Sequence, residues 1–307
     1  MILSVCPNPC IDLTVELEQL NVGQLNRVEN KVMTYSGKAL NTSVGVARLG
    51  GDSYATGFMY ENDGSLFSQR LDNEGVKNTF VWNKGSLRIN YKIVDNKSML
   101  TEINDRGDPV LEDKQQELLE LVGNLSKNAA VVVISGSLPK GIKDDYYLKL
   151  RRSVNNKCKV IVDTEGEKLV NAIQDGVYLV KPNLFELENI VKKRLTSFRE
   201  MIESSRFLLK KGTENVVLSL GKDGALLIDN ESAYYCKSVN VAVNSTVGAG
   251  DSMVAAISVM AERKATKEEI LKAGVAAGAA SITTPGTNLF YRDKFEEIYS
   301  KVYVEKL

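Results

Sequence analysis

From residue 112 onward, short runs rich in Val, Ile and Leu alternate with longer segments of helical hydrophobic period. The runs at residues 130–134, 160–162, 177–180 and 216–220 read as strands buried on both faces; residues 113–126, 143–154, 183–192 and 197–210 read as helices. Parallel strands need crossover connections, and this alternation supplies them. The chain is therefore expected to be α/β, a doubly wound and mainly parallel sheet flanked by helices. The first three of those strands run into polar clusters, Ser135-Gly136-Ser137-Leu138-Pro139, Asp163-Thr164 and Lys181-Pro182-Asn183. Such carboxyl ends are where open α/β sheets take their ligands.

The N-terminal part adds a different pattern. Residues 2–6 predict a buried strand leading into Pro7-Asn8-Pro9, which forces an extended exit and places Asp12 just past a strand end. Residues 42–49 predict a short helix stopped by Gly50-Gly51, with Gly37, Lys38 and Asn41 at its approach. A polar helix is expected over residues 63–74. Strand-like stretches follow at 79–82, 87–94 and 99–103, the last two joined by the turn Asp95-Asn96-Lys97. With residues 13–17 and 28–34 these predict a small β-sheet standing off the main one as a lid, built from roughly 11–35 and 86–104. Arg88 and Asn90 share one face of their strand by period-two alternation, so both could point at what the lid covers; a solvated face is the plainer reading.

Composition narrows the chemistry. The chain has no histidine, which excludes Ser-His-Asp hydrolysis, histidine bases and His-ligated zinc together. Proton transfer falls to a carboxylate, Lys, Tyr or Cys. Lys+Arg and Asp+Glu both number 39, so no charge excess points to nucleic acid or an anionic membrane, and the expected partner is a small molecule. No apolar run is long enough to span a bilayer and Met1-Ile2-Leu3-Ser4-Val5 lacks a basic flank, so a cytoplasmic protein is expected. The four cysteines have no paired spacing and read as free thiols in core packing.

Near the end lies Thr246-Val247-Gly248-Ala249-Gly250-Asp251-Ser252, opening an apolar run. Two glycines before a helix start leave bare N–H groups and the positive end of a dipole, a seat for an anion. Asp251 would stand at that seat, where a spectator carboxylate repels the anion but a base receiving a hydroxyl proton belongs. An ordinary glycine turn reads these residues equally well. Known phosphate loops do not match. Gly37-Lys38 is followed by Ala39 and preceded five positions earlier by Val32, which breaks the P-loop pattern, and Met253 stands where a dinucleotide loop needs glycine or alanine.

Six ordered motifs do fit one family: Asn8-Pro9-Cys10-Ile11-Asp12, Arg88 with Asn90, Thr101-Glu102-Ile103-Asn104, Ser135-Gly136-Ser137-Leu138-Pro139, Lys181-Pro182-Asn183 with Glu186, and residues 247–252. Over essentially its whole length the sequence resembles the ribokinase-like PfkB carbohydrate kinases, most of all their 1-phosphofructokinase and tagatose-6-phosphate kinase branch. The resemblance implies one ribokinase-like α/β domain over residues 1–307 and ATP-dependent phosphoryl transfer with Mg²⁺. It implies Asp251 as the base, with the N–H groups of Gly248, Ala249 and Gly250 on the migrating phosphoryl group. Asn183 and Glu186 would organise Mg²⁺ through water. Lys181, Asn183, Ser219, Gly221, Gly224 and Thr246 would line the nucleotide site, with the Ala/Gly-rich helix at 270–282 near adenine. Asp12, Gly37 and Asn41 would grip the sugar, and Lys38, Arg88 and Asn90 its existing phosphate.

One stretch departs from the family. Its usual Gly-Gly-Lys-Gly is Ser36-Gly37-Lys38-Ala39 here, which predicts a narrower pocket or a restrained lid. Fructose 1-phosphate is the expected substrate through the motif at 101–104, with tagatose 6-phosphate as alternative. A silent sugar-phosphate sensor and a kinase of an unphosphorylated sugar or nucleoside remain as competitors. A homodimer through the lid stays open.

Overall fold

Strand β1 (Ile2–Cys6) is buried along its whole length, as a strand covered on both faces must be. The structure, a computed structural model, describes residues 1–307 apart from Ser98 and residues 285–287. After β1 come β2 (Cys10–Glu16), β3 (Asn30–Ser36), α1 (Lys38–Arg48), β4 (Ser53–Tyr60) and α2 (Gly64–Asn73). Then follow β5 (Lys77–Asn78), β6 (Val81–Asn83), β7 (Arg88–Val94) and β8 (Leu100–Asn104). The expected alternation runs α3 (Glu112–Ser126), β9 (Val131–Ser135), α4 (Tyr146–Ser153), β10 (Lys159–Asp163), α5 (Gly166–Ala172), β11 (Val177–Val180). It continues through α6 (Leu184–Val191), α7 (Phe198–Lys211) and β12 (Thr213–Ser219). The hairpin β13 (Ala225–Ile228) and β14 (Ala233–Cys236) leads to α8 (Ala249–Glu262), α9 (Lys267–Ser281), α10 (Arg292–Tyr299) and β15 (Val304–Lys306).

The large sheet has the order β15-β14-β13-β12-β11-β10-β9-β1-β4-β5, with β6 also on β4. Neighbours from β4 through β1 to β12 are parallel; β13, β14 and β15 form an antiparallel edge. Alternate residues feed two cores. Ile2, Val131, Val133, Ile161 and Leu179 pack with α8, α9 and α10, while Leu3, Val132, Ile134 and Val162 pack with α3, α4 and α7. The chain leaves β1 toward β4 and returns on its other side at β9, so the strand order reverses there. A crevice at the carboxyl ends is the geometric result.

The small sheet has the order β3-β2-β7-β8. Its register sets Thr34, Asp12, Asn90 and Asn104 in one row, and Met33, Leu13, Tyr91 and Ile103 in the next, on the opposite face.

Three expectations are corrected here. Asp12 lies inside β2, not past a strand end, because the chain re-enters extended pairing directly after Pro9. Lys38 is the first residue of α1 rather than before it. The stretch near 79–82 does not join the small sheet: β6 pairs with β4, a strand the sequence reading had not anticipated. Gly57 in β4 is required by close approach, since a Cβ there would lie 1.9 Å from the Cys6 carbonyl oxygen. Among the described residues no helix is long and apolar enough to cross a membrane.

Candidate active site

A cleft of about 660 Å³ opens where the carboxyl ends of β1, β9, β10 and β11 meet the starts of α1 and α8 and the inner face of the small sheet. Asp251 stands in the first turn of α8. The helix begins after Gly248, whose left-handed backbone (φ 83°) caps it without a side-chain bond, so the first N–H groups lack intrahelical acceptors. At Gly250 a Cβ would come within 3.3 Å of Lys181 Nζ. Asn41 Nδ2 donates to Asp251 Oδ2 at 2.8 Å and to Ser36 Oγ at 3.3 Å. Burial pushes the Asp251 carboxyl up to about 6, against the opposing pull of the Lys38 charge and the Asn41 bond. A carboxylate of that affinity is ionised at neutral pH yet basic enough to receive a proton.

The small sheet supplies one wall. Asp12 is 5% exposed; its Oδ1 accepts from Asn90 Nδ2 at 3.1 Å and its Oδ2 from Lys92 Nζ at 3.0 Å. Arg88 is held by oxygens without formal charge: Nη2 donates to the Asn8 carbonyl at 3.2 Å, and Nη1 to the Asp105 carbonyl at 2.9 Å and Asn90 Oδ1 at 3.0 Å. Among the described residues its guanidinium forms no ion pair, so its charge is left without a paired carboxylate beside the cleft.

At the other end Asp163 closes β10, accepting from Ser135 Oγ and pairing with Lys181 Nζ at 3.3 Å. Burial alone would push its carboxyl up, but Lys181 and Lys38 outweigh it and hold the group below the usual range. Lys38 faces open cleft, and Asp163 foremost, with Asp251, keeps its ammonium above the ordinary lysine value despite the surrounding protein. Asn183 caps α6 with Glu186 in a reciprocal capping box, a structural role that coexists with their place in the cleft lining.

The cleft gathers Asp12, Gly37, Lys38, Asn41, Arg88, Asn90, Lys181, Asn183, Glu186, Ser219, Gly248, Gly250 and Asp251. Ala249, Gly221, Gly224 and Thr246 are not in its lining. Gly224 has a local reason instead: a Cβ there would meet the Cys236 carbonyl oxygen at 2.0 Å. Of the two residues that depart from the family pattern, Ala39 is buried in the core under α1 and Ser36 supports Asn41. Ser36 lines the cleft; Ala39 does not.

Several charged residues of the cleft are not among those singled out from the sequence, Asp163 and Lys92 the most deeply buried of them. In the sequence Asp163 marks a strand end and nothing more, and Lys92 lies on the alternation that selects Arg88 and Asn90. The cysteines are free. Burial pushes the Cys6 thiol up to about 11 and the Cys10 thiol up to about 12, so both stay protonated, although Cys10 lines the cleft rather than only the core.

The cleft thus holds a buried carboxylate at a helix start and a guanidinium on its small-sheet wall. The comparisons specify which class of protein this is. The pfkB family carbohydrate kinase profile matches residues 7–294. A 1-phosphofructokinase of Borreliella burgdorferi is 33% identical over 282 residues, covering 92% of this chain and 91% of that one. A tagatose-6-phosphate kinase of Staphylococcus epidermidis is 30% identical over 308 residues, covering 99% of each. Phosphofructokinase-2 of Escherichia coli, solved in complex with potassium, has a TM-score of 0.90 at 31% identity over 98% of both chains; the same enzyme has also been solved in a tetrameric inhibited form. The chain belongs to the PfkB family of carbohydrate kinases. Its fold is ribokinase-like, and it is a sugar-phosphate kinase.

Proposed function

We propose that the chain transfers the γ-phosphoryl group of ATP to fructose 1-phosphate, giving fructose 1,6-bisphosphate and ADP. The observation that carries this reading is Asp251, buried at the start of α8 with its affinity for protons raised. The substrate hydroxyl oxygen attacks the γ-phosphorus, the bond to the β-phosphate oxygen breaks, and the hydroxyl proton passes to Asp251. The N–H groups of Gly248 and Gly250, both in the cleft lining, and Lys38 face charge developing on the transferred group. Asp12 and Asn41 hold hydroxyls; Arg88 holds the phosphate the substrate already carries. Lys181, Asn183 and Ser219 serve the nucleotide end.

Mg²⁺ fits this donor set as a companion of the triphosphate. Glu186 Oε2 accepts the Asn183 N–H, leaving its other oxygen for a water of the ion, and among the described residues no cluster of three or more Asp, Glu or Cys could hold a metal alone. When bound, the ion neutralises charge between the β- and γ-phosphates.

ADP release from MgATP over a panel of fructose 1-phosphate, tagatose 6-phosphate, fructose 6-phosphate and free sugars tests the proposal. Turnover selective for fructose 1-phosphate is expected. Selectivity for tagatose 6-phosphate, favoured by the near full-length likeness to a kinase of that name, would replace the substrate; binding without turnover would leave a sensor.

The pH profile follows from the same carboxylate. Activity needs Asp251 ionised, so kcat/KM should fall as pH drops through about 6. Asn41 donates to the ionised form. Asn41→Ala should therefore raise the acid limb by about one pH unit, as a charge-assisted hydrogen bond is worth; an unmoved limb would remove Asp251 as its origin.

The outer row of the small sheet is apolar and open: Met33, Tyr91 and Ile103 are all exposed. We infer that a second copy of this chain covers it, in line with a relative that assembles. Light scattering should give a dimer that Ile103→Lys converts to monomer; a monomeric wild type would end this inference.

A further inference from the structure

Lys92 is 7% exposed, an uncommon place for a lysine unless it is paired. It is the third member, after Arg88 and Asn90, of one face of β7, and all three line the cleft. Their bonds form a continuous series. Arg88 Nη1 donates to Asn90 Oδ1 at 3.0 Å, Asn90 Nδ2 donates to Asp12 Oδ1 at 3.1 Å, and Lys92 Nζ donates to Asp12 Oδ2 at 3.0 Å. Both oxygens of Asp12 are thus pinned, one by a neutral amide and one by a cation. What differs along the strand is charge. Lys92 is cancelled by Asp12, whereas among the described residues Arg88 donates to carbonyl oxygens alone.

We propose that Lys92 is a positioning residue that acts through Asp12. It fixes the carboxylate so that the free lone pairs meet sugar hydroxyls. It also cancels the charge that would otherwise repel a substrate phosphate seated at Arg88, four residues away on the same face, a span of roughly 13 Å at the usual rise per strand residue. This part of the wall thereby separates a neutral subsite for hydroxyls from a cationic one for phosphate. The inference rests on the sugar-phosphate reading above.

The test is steady-state kinetics of K92M, K92R, D12N and D12N/K92M beside wild type, with melting temperatures recorded for each. K92M should raise KM for the sugar phosphate by about 30-fold or more, leaving KM for ATP within about twofold, because the lost interaction is a buried charge-assisted one. K92R, which keeps the charge, should recover most of that loss. In the D12N background the further change K92M should move KM by less than about threefold, since a residue acting only through Asp12 has nothing left to position.

A K92M enzyme with unchanged KM overturns the proposal, as does an equal rise in both KM values. Penalties that multiply in the double variant would make Lys92 a direct substrate contact and overturn it too. If K92M does not fold, D12N/K92M against D12N decides alone, because there both buried charges are gone. Wild type active on a ketose phosphate with K92M normal refutes only the role of Lys92; wild type inactive on every ketose phosphate refutes the substrate reading and this inference with it.

Discussion

Replacing Asp251 by asparagine is expected to cut kcat by about 10²–10⁴ while making the folded chain more stable at neutral pH. The first effect follows from removing the proton acceptor. The second comes from linkage. The folded-state affinity of Asp251 for protons is raised from an ordinary carboxylate value of 3.8 to about 6, so the native state binds the proton more tightly than the unfolded chain does. Its ionisation therefore costs stability as pH rises from about 4 through 6, and the whole cost is present at pH 7. A shift of this size corresponds to about 1–3 kcal/mol. Asparagine carries no charge to bury, and its side-chain oxygen can still accept from Asn41. Chemical denaturation at pH 5 and pH 8 checks this: the gain in D251N over wild type should be larger at pH 8. Equal gains at both values would mean that Asp251 is not the strained ion described here.

Arg88→Ala is expected to lower kcat/KM for the sugar phosphate by about 10²–10³, mainly through KM, since it removes an unmatched cation from the site of an anion. KM for ATP should change little. Arg88→Lys keeps the charge but not the planar fork that engages Asn8, Asp105 and Asn90 together, so it should fall between the two. An unchanged KM in the alanine variant would instead favour a kinase of an unphosphorylated sugar or nucleoside.

Much of this arrangement was legible in the residues. The alternation after residue 112 gave the parallel sheet because its strands are buried on both faces and written almost wholly in Val, Ile and Leu. The start of α8 was visible because glycines and an acid precede an apolar run. What failed to show has physical reasons. β4 is also buried on both faces, but Gly57 interrupts its side-chain pattern where the backbone of Cys6 presses against it, so no strand signal survives. Asp12 was displaced by the prolines before it, which read as loop although β2 pairs from Cys10 onward. A lysine in an alternating strand reads as solvated, so nothing in the sequence singles out Lys92; its burial and its ion pair with Asp12 show otherwise. Gly221, Gly224 and Thr246 came from the family resemblance alone, and for Gly224 the structure supplies a turn requirement independent of any ligand.

The hydrogen bond between Asn41 and Asp251 joins positions 210 residues apart. During synthesis at about 5–20 residues per second, α1 is complete some 10–40 s before the carboxylate it orients has been made. The residues assigned to the sugar and its phosphate lie before position 93, and the base enters in the last fifth of the chain. A ribosome-bound chain therefore carries the residues proposed to hold a sugar phosphate long before the one proposed to take its proton, and β1 and α1 wait for β9 and α8 to cover them.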